Sequence, residues 1–108
     1  MAQDFENVKA RNIGTSASTL LTANSDDALI GIRVANVVAQ TIQVDVFISS
    51  GGSDYHLAKG VSIPQGSSME FIDGGANVVL LSGDAVKIKS DTASSADCWI
   101  AYIDSIST

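Results

Sequence analysis

Residues 28–49 read ALIGIRVANVVAQTIQVDVFIS, and this stretch decides the fold class. It holds two runs in which aliphatic residues alternate with smaller or polar ones. The aliphatic positions are Ile30, Ile32 and Val34 in the first run and Ile42, Val44, Val46 and Ile48 in the second. Period-two alternation of β-branched residues is typical of strands that turn one face to a core. Because a parallel crossover needs about a dozen linking residues or more, the short link predicts an antiparallel hairpin.

Short runs of the same kind recur along the chain between turns rich in Gly, Ser, Asn and Asp. Residues 5–13 fit either a strand or a short helix. Further strands are expected at 19–23, 55–58, 61–63, 68–72, 78–81, 85–89 and 97–106, with turns between them that include 49–53 and 73–75. Eight or nine short strands, with no helical pattern of about ten residues, predict an all-β fold: an antiparallel β-sandwich or jelly roll.

The strand patterns also predict which side chains are buried. The continuous apolar run at 78–81 is expected to be buried on both faces, whereas Val86 and Ile88 should point inward with Lys87 and Lys89 outward. In the last strand Trp99, Ala101 and Ile103 share one face, and Cys98, Ile100 and Tyr102 share the other.

The chain length fits one β-sandwich domain over residues 1–108, since about 100 residues can bury a core without a metal or disulfide. Residues 1–27 are either an N-terminal arm that reaches a neighbouring molecule or the first pair of strands. Charged residues make up 17% of the chain, against about 25% in typical domains. A low charge fits a domain that hides surface in an assembly, because interface cores are depleted in charge.

Net charge excludes one large class of partners. The chain carries −6 at pH 7, and its six Lys and Arg residues are scattered, Lys87 and Lys89 being the nearest pair on one strand face. Nucleic-acid binding needs clustered basic residues and is therefore not expected. No apolar run approaches the roughly 18 residues of a membrane span. The first twelve residues lack the apolar core of a signal peptide, so we expect synthesis in the cytoplasm.

Residues that could carry catalysis are few. His56 is the sole histidine, which rules out a two-histidine metal site. We expect it to be a polar side chain on an exposed strand. Cys98 is the sole cysteine, so no intrachain disulfide can form. Its apolar strand predicts a buried, inert thiol.

Acidic and glycine-rich segments offer weak alternatives. Asp26 and Asp27, or Glu70 and Asp73, could supply oxygen ligands to calcium, but their spacing matches no known calcium loop and favours turn formation. Residues 50–53 (SGGS) lack the lysine and the following helix of a phosphate loop. We therefore expect no catalytic residues, no metal and no cofactor, and a protein that is not an enzyme.

Aromatic residues leave one binding function open. Trp99, Tyr55 and Tyr102 could form a stacking platform for sugars, as in a carbohydrate-binding module. The apolar neighbours of Trp99 favour core packing instead, which predicts that Trp99 lies between the two sheets. A Trp99→Ala change would then cost about 3–5 kcal/mol of stability.

The order of phrases along the chain resembles a family of small virion structural proteins of tailed phages, many of them from marine phages of cyanobacteria and other ocean bacteria. The similarity covers residues 5–37, 41–48, 54–74 and 78–106, and is strongest at VAN (34–36), VSIPQGSS (61–68) and LSGD (81–84). It implies a β-sandwich present in many copies on the particle, with no catalytic residues. One departure is Cys98-Trp99, which stands where the family has small β-branched residues.

From this resemblance we expect a non-enzymatic virion protein made in the host cytoplasm, acting as a capsid decoration or cement protein that binds across capsid subunits. A neck, tail or fibre component and, in another class, a carbohydrate-binding module stay open. The expected partners are further copies of the chain, as a homotrimer, and the major capsid protein or other virion proteins. Neither nucleic acid, membrane nor a small-molecule substrate is expected.

Overall fold

A computed structural model of the protein describes residues 4–72 and 78–104. These residues form nine β-strands and no helix, which confirms the all-β prediction. The strands are β1 (Asp4–Ile13), β2 (Ser18–Thr22), β3 (Asp27–Asn36), β4 (Ile42–Ser50), β5 (Ser53–Ile63), β6 (Ser68–Glu70), β7 (Val78–Leu80), β8 (Ala85–Ser90) and β9 (Ala96–Asp104).

Two antiparallel sheets pack against each other. Sheet A has the order β1-β9-β3-β6, and the short β7 pairs with the other end of β3. Sheet B has the order β2-β8-β4-β5. With β7 set aside, each sheet holds four strands, and the chain passes between the sheets as in an eight-stranded jelly roll. The predicted antiparallel sandwich is confirmed.

The core lies between the sheets and is built from the alternating positions of the central strands. Ile32, Val34 and Ile100 from sheet A meet Val44 and Ile88 from sheet B, and all five are fully buried. Each such side chain contributes roughly 1.5–3 kcal/mol by leaving water. The predicted inward faces of β4 and β8 are thus confirmed, with Lys87 and Lys89 on the outward side of β8.

Ile30 departs from the predicted alternation of β3. Leu29 lies opposite Tyr102 and Gly31 opposite Ala101, so Ile30 is an extra residue without a partner on β9. Such a bulge exchanges the faces of the residues before it. Leu29 is consequently the buried residue at this end of β3, and Ile30 is only half-buried.

The predicted hairpin between the two central runs is wrong. β3 belongs to sheet A and β4 to sheet B, so the link between them crosses the core instead of turning within a sheet. The buried Asn36 shapes this arch: its Nδ2 donates to the backbone oxygens of Gln40 (2.7 Å) and Ile63 (2.9 Å), and its Oδ1 accepts from the Val38 amide (2.9 Å). Both runs place their aliphatic faces in one core, and they do so from opposite sides of it.

The true hairpin in this part of the chain joins β4 to β5. Gly51 (φ 61°) and Gly52 (φ 86°) form its two-residue turn between the paired Ser50 and Ser53, and positive φ at both central positions is what this turn requires. β5 is one strand, not the predicted two. A bulge at Gly60 (φ 63°) interrupts its pairing where the sequence analysis expected a break.

The remaining strands are mostly where they were expected. Residues 5–13 are a strand, not a helix: β1 pairs with β9, while β2 pairs with β8, so residues 4–22 include strands of both sheets. Val79 is 58% exposed, and Leu81 is also exposed. The predicted burial of 78–81 on both faces is therefore wrong, because β7 lies at the margin of sheet A.

The turn predicted at 73–75 and the predicted strand end at 105–106 lie outside the described residues. Within the described residues, no helix is long and apolar enough to cross a membrane.

Candidate functional site

The two residues most suited to catalysis are placed as structural residues. His56 is exposed on β5, with its ring beside that of Phe47 (centroids 5.0 Å apart). Cys98 is only 4% exposed on the inner side of β9. Burial, and next the charge of Glu70, raise the pKa of the Cys98 thiol to about 12. The thiol therefore stays protonated at neutral pH and is a poor nucleophile, and the predicted exposed histidine and buried thiol are confirmed.

The candidate calcium ligands are not brought together. Asp27 is buried and accepts a hydrogen bond from the Ser25 hydroxyl (3.1 Å), whereas Glu70 forms an ion pair with Arg33 (3.5 Å) on the other part of the sheet. Asp73 lies outside the described residues. In the described part of the chain, no three His, Cys, Asp or Glu side chains are grouped as a metal would require. Residues 50–53 are the β4–β5 turn, with no helix after them.

The outer face of sheet A, which points away from the core, has a regular pattern set by strand register. Side chains from β1, β9, β3 and the short strands β6 and β7 align there in four parallel rows, of which the row at one end is Asp97, Ala35 and Ser68. The apolar row is Phe5, Ile103, Ala28 and Val79; the small row is Asn7, Ala101 and Gly31; the tryptophan row is Lys9, Trp99, Arg33 and Glu70.

The large apolar side chains on this face are open to solvent. Phe5 is 75% exposed, Val79 58% and Trp99 51%. Solvent-exposed aromatic and aliphatic side chains that adjoin on one face mark an interaction site more often than scattered single residues do. The outer face of sheet A is therefore the candidate functional surface.

Trp99 is on this face, so its predicted burial between the sheets is wrong. The predicted division of β9 into two faces is correct, but Cys98 and Ile100 turn to the core and Trp99 turns away from it. Both faces of β9 are apolar, and alternation alone does not say which of two apolar faces is covered. The Lys9 Nζ atom lies 5.1 Å from the centre of the Trp99 ring, a cation–π contact.

Grooves lie on both sides of the Trp99 ring. The larger, of about 500 Å³, includes Lys9, Arg11, Arg33 and Asp97 in its lining. The smaller, of about 150 Å³, lies over Gly31 and Ala101 between Arg33 and Glu70. Asp97 accepts a hydrogen bond from the Asn12 amide (3.2 Å), and the larger groove is bordered by three cationic side chains.

The aromatic residues considered as a platform do not form one. Tyr102 is on the opposite side of β9 from Trp99, and Tyr55 is on β5 of sheet B. Phe5 shares a face with Trp99 but lies two rows away, about 13 Å along the strands.

Basic residues are not scattered, contrary to the sequence analysis. Lys9, Arg11 and Arg33 surround Trp99 on sheet A. The other three are on sheet B, where Lys59 and Lys89 flank Asp45 and Lys87 lies two residues from Lys89. Register across strands creates both groups, so the linear sequence does not show them.

Asp45 organises the polar surface of sheet B. Its Oδ1 accepts from the Gly60 amide (2.7 Å), and its Oδ2 pairs with Lys59 Nζ (3.4 Å). Burial raises the pKa of the Asp45 carboxyl, but the Gly60 amide, Lys59 and Lys89 together outweigh burial and hold this pKa below its usual value.

Removing this carboxylate is expected to destabilise the fold. Asp45→Ala should lower the free energy of unfolding by about 1–3 kcal/mol, since the Gly60 amide loses its acceptor. A lowered native pKa gives stability that is present above about pH 3.9 and is lost as the pH falls through the native value. Asp45→Asn should therefore flatten the loss of stability in acid. Urea denaturation between pH 3 and pH 7 measures both effects; equal acid sensitivity of Asp45→Asn and of the exposed-site control Asp54→Asn would contradict this account.

Comparisons with known proteins identify the fold. No protein-family model and no curated protein matches the sequence. Among solved structures, a chain of infectious bursal disease virus, Gx strain, is similar over 100% of this chain and 34% of the viral chain, with a TM-score of 0.60 and 14% identity. This chain thus spans about a third of the length of that viral chain.

Two further structures are similar over nearly their whole length. The nucleoplasmin-like N-terminal domain of Drosophila FKBP39 has a TM-score of 0.56 and 9% identity, over 98% of this chain and 93% of that one. A chain of the Bacillus endospore appendages, described as a novel family of disulfide-linked pili, has a TM-score of 0.56 and 15% identity, over 98% of this chain and 88% of that one. At such identities the likeness establishes the fold alone: this chain is a β-sandwich domain.

Proposed function

We propose that this protein is a non-enzymatic structural component of a phage particle, made in the host cytoplasm, which decorates or cements the head by binding across capsid subunits. The observation that carries the proposal is the outer face of sheet A, where Phe5, Val79 and Trp99 are exposed in register. Burial of apolar surface gives about 25 cal/mol per Å². Aromatic side chains are enriched at protein interfaces, and Trp is prominent among the residues that dominate binding energy.

The fold supports the same proposal by analogy. Jelly rolls occur in viral capsid domains and in lectins. Two of the similar structures belong, by their names, to a virus and to pili, which are assemblies of many protein chains. The resemblance of the sequence to tailed-phage virion proteins agrees with an assembly function.

The mechanism would be mechanical. A rigid sandwich placed over the junction between capsid subunits adds buried area there, and stable protein contacts typically bury about 1,200–2,000 Å². Repetition over a shell allows a modest affinity per copy to suffice. A mechanical function needs no catalytic group, and it is compatible with the exposed position of His56 and the buried thiol of Cys98.

Purified particles of the phage that encodes this chain provide the test. Mass spectrometry should detect the protein in them, and immunogold should label the head. Added protein should raise the temperature at which particles lacking it release DNA, because a ligand of the intact state stabilises that state. Phe5→Asp should bind these particles less well than Thr19→Asp, a control on the outer side of sheet B. If the protein is absent from purified particles, the proposal is wrong. If immunogold labels the tail alone, the protein is a tail component and not a head protein.

A carbohydrate-binding function is the second candidate, because Trp99 is half-exposed between two grooves on a fold that lectin domains also use. Lys9 already lies over the ring, and among the described residues no second aromatic side chain lines either groove. Trp99 is the only tryptophan, so its fluorescence reports on this surface alone. A saturable emission change on titration with oligosaccharides would favour this candidate over the virion proposal.

A further inference from the structure

We infer that the outer face of sheet A binds a second copy of this chain, face to face, with a two-fold axis that runs across the strands along the small row. The inference rests on the proposed function only in taking this face as a protein contact surface. The pair and the capsid contact use the same face and exclude each other, so the pair covers this face in the free protein and separates when a copy binds a particle. The inference names the partner and the geometry, neither of which the proposal specifies.

The shape of the face suits this axis. The small row (Asn7, Ala101 and Gly31) lies between the apolar row and the tryptophan row, each about 7 Å away along the strands. Rotation about the small row places the tryptophan row of one copy over the apolar row of the other. Trp99 then meets Ile103 and Ala28 of the second copy, where the alanine leaves room for the indole ring. The small row itself lets the two sheets approach closely at the centre.

Charge also selects this axis. An axis along β9 would place Lys9 over Arg33 of the second copy, and like charges at an interface cost affinity. The axis across the strands places Lys9 over Phe5 instead.

The size of the face is sufficient for a stable pair. Its main strands are nine or ten residues long. Three strands of that length, about 4.8 Å apart, together with the three-residue strands β6 and β7, cover about 550 Å². A pair would thus bury about 1,100 Å² in total, which exceeds the roughly 1,000 Å² expected of a specific interface.

Cross-linking tests the axis directly. On the proposed axis, residue 101 lies opposite residue 101 of the second copy, and residue 7 lies opposite residue 7. Ala101→Cys and Asn7→Cys should therefore each give a covalent dimer with a bis-maleimide of about 10 Å span, the usual distance between packed sheets. The native Cys98 is buried and should not react. Thr19→Cys, on the outer side of sheet B, is the matched control and should stay a single chain.

Each result decides a specific point. Cross-linking of Ala101→Cys without Asn7→Cys would indicate an axis along β9 and overturn the geometry. Equal cross-linking of Thr19→Cys would show random collision and overturn the pairing. Sedimentation of the native chain should give twice 11.2 kDa. A single-chain mass, or the trimer that the sequence analysis expects, overturns the two-fold pair.

Substitutions supply the energetic test. Trp99→Ala should weaken the pair at least about tenfold, as for a buried interface tryptophan, while Thr19→Ala leaves it unchanged. The test of pairing and the test of the proposed function can fail independently. A chain that is a monomer in solution and is found in virus particles contradicts this inference alone, whereas a chain that is a dimer in solution and is absent from particles contradicts the virion proposal alone.

Discussion

Ile100→Ala is expected to lower the free energy of unfolding by about 2–5 kcal/mol, whereas Trp99→Ala, one residue away, should lower it by about 1 kcal/mol or less. Ile100 is fully buried among core residues of both sheets, and its truncation leaves a cavity. Trp99 is 51% exposed, and its loss opens no cavity in the core. The larger side chain is therefore the less important of the two for stability.

Urea denaturation followed by circular dichroism measures this difference, since Trp99→Ala removes the only tryptophan and with it the fluorescence signal. The protein must be dilute, because a dimer would add concentration-dependent stability. A cost of 3–5 kcal/mol for Trp99→Ala in dilute solution would indicate a buried ring. In dilute native protein, where the pair has dissociated, we expect an emission maximum near that of tryptophan in water.

Asn36→Ala is expected to lower the free energy of unfolding by about 2–4 kcal/mol, a large effect for one polar residue. Its side chain makes three hydrogen bonds to the backbone, to Gln40, Ile63 and Val38. In the alanine variant the carbonyl oxygens of Gln40 and Ile63 and the amide of Val38 lose their side-chain partner. Each buried polar group left unpaired costs about 1–3 kcal/mol, and relaxation of the arch and entry of water reduce the total. The loss should appear in the same urea titrations.

Gln40→Ala is the matched control on the same arch. The Gln40 side chain is exposed and reaches only Thr92 (3.3 Å), and its backbone oxygen still accepts from Asn36 after the change. We expect an effect below about 0.5 kcal/mol. Similar losses for the two variants would show that the arch is held by its backbone and not by Asn36.

Sequence patterns predicted the fold class and most of the core because alternation is a property of each strand by itself. Val44, Val46 and Ile88 could be placed in the core from their neighbours alone. Which strand pairs with which is not local information. The link after β3 was predicted to be a turn. It is an arch instead, held by the hydrogen bond from the Asn36 side chain to the backbone oxygen of Ile63, which is 27 residues away in the sequence.

The candidate surface was beyond sequence reasoning for a related reason. Its apolar row combines residues 5, 28, 79 and 103, which come from four strands and become neighbours only through register. The exposure of Trp99 was missed because β9 has apolar residues on both faces. The basic residues near Trp99 offered one usable signal, since Lys9 and Arg33 mark the solvent side of β1 and β3.

The position of β9 in sheet A bears on how the protein is synthesised. β9 is the last strand in the described residues, yet it lies between β1 and β3 and pairs with both. During translation the ribosome adds about 5–20 residues per second. β1 and β3 are therefore synthesised several seconds before β9, the strand that pairs with both. Sheet A therefore closes only after β9 has left the exit tunnel. A chain released before residue 96 lacks the strand that carries Trp99 and joins the rows, so an incomplete copy cannot present the outer face.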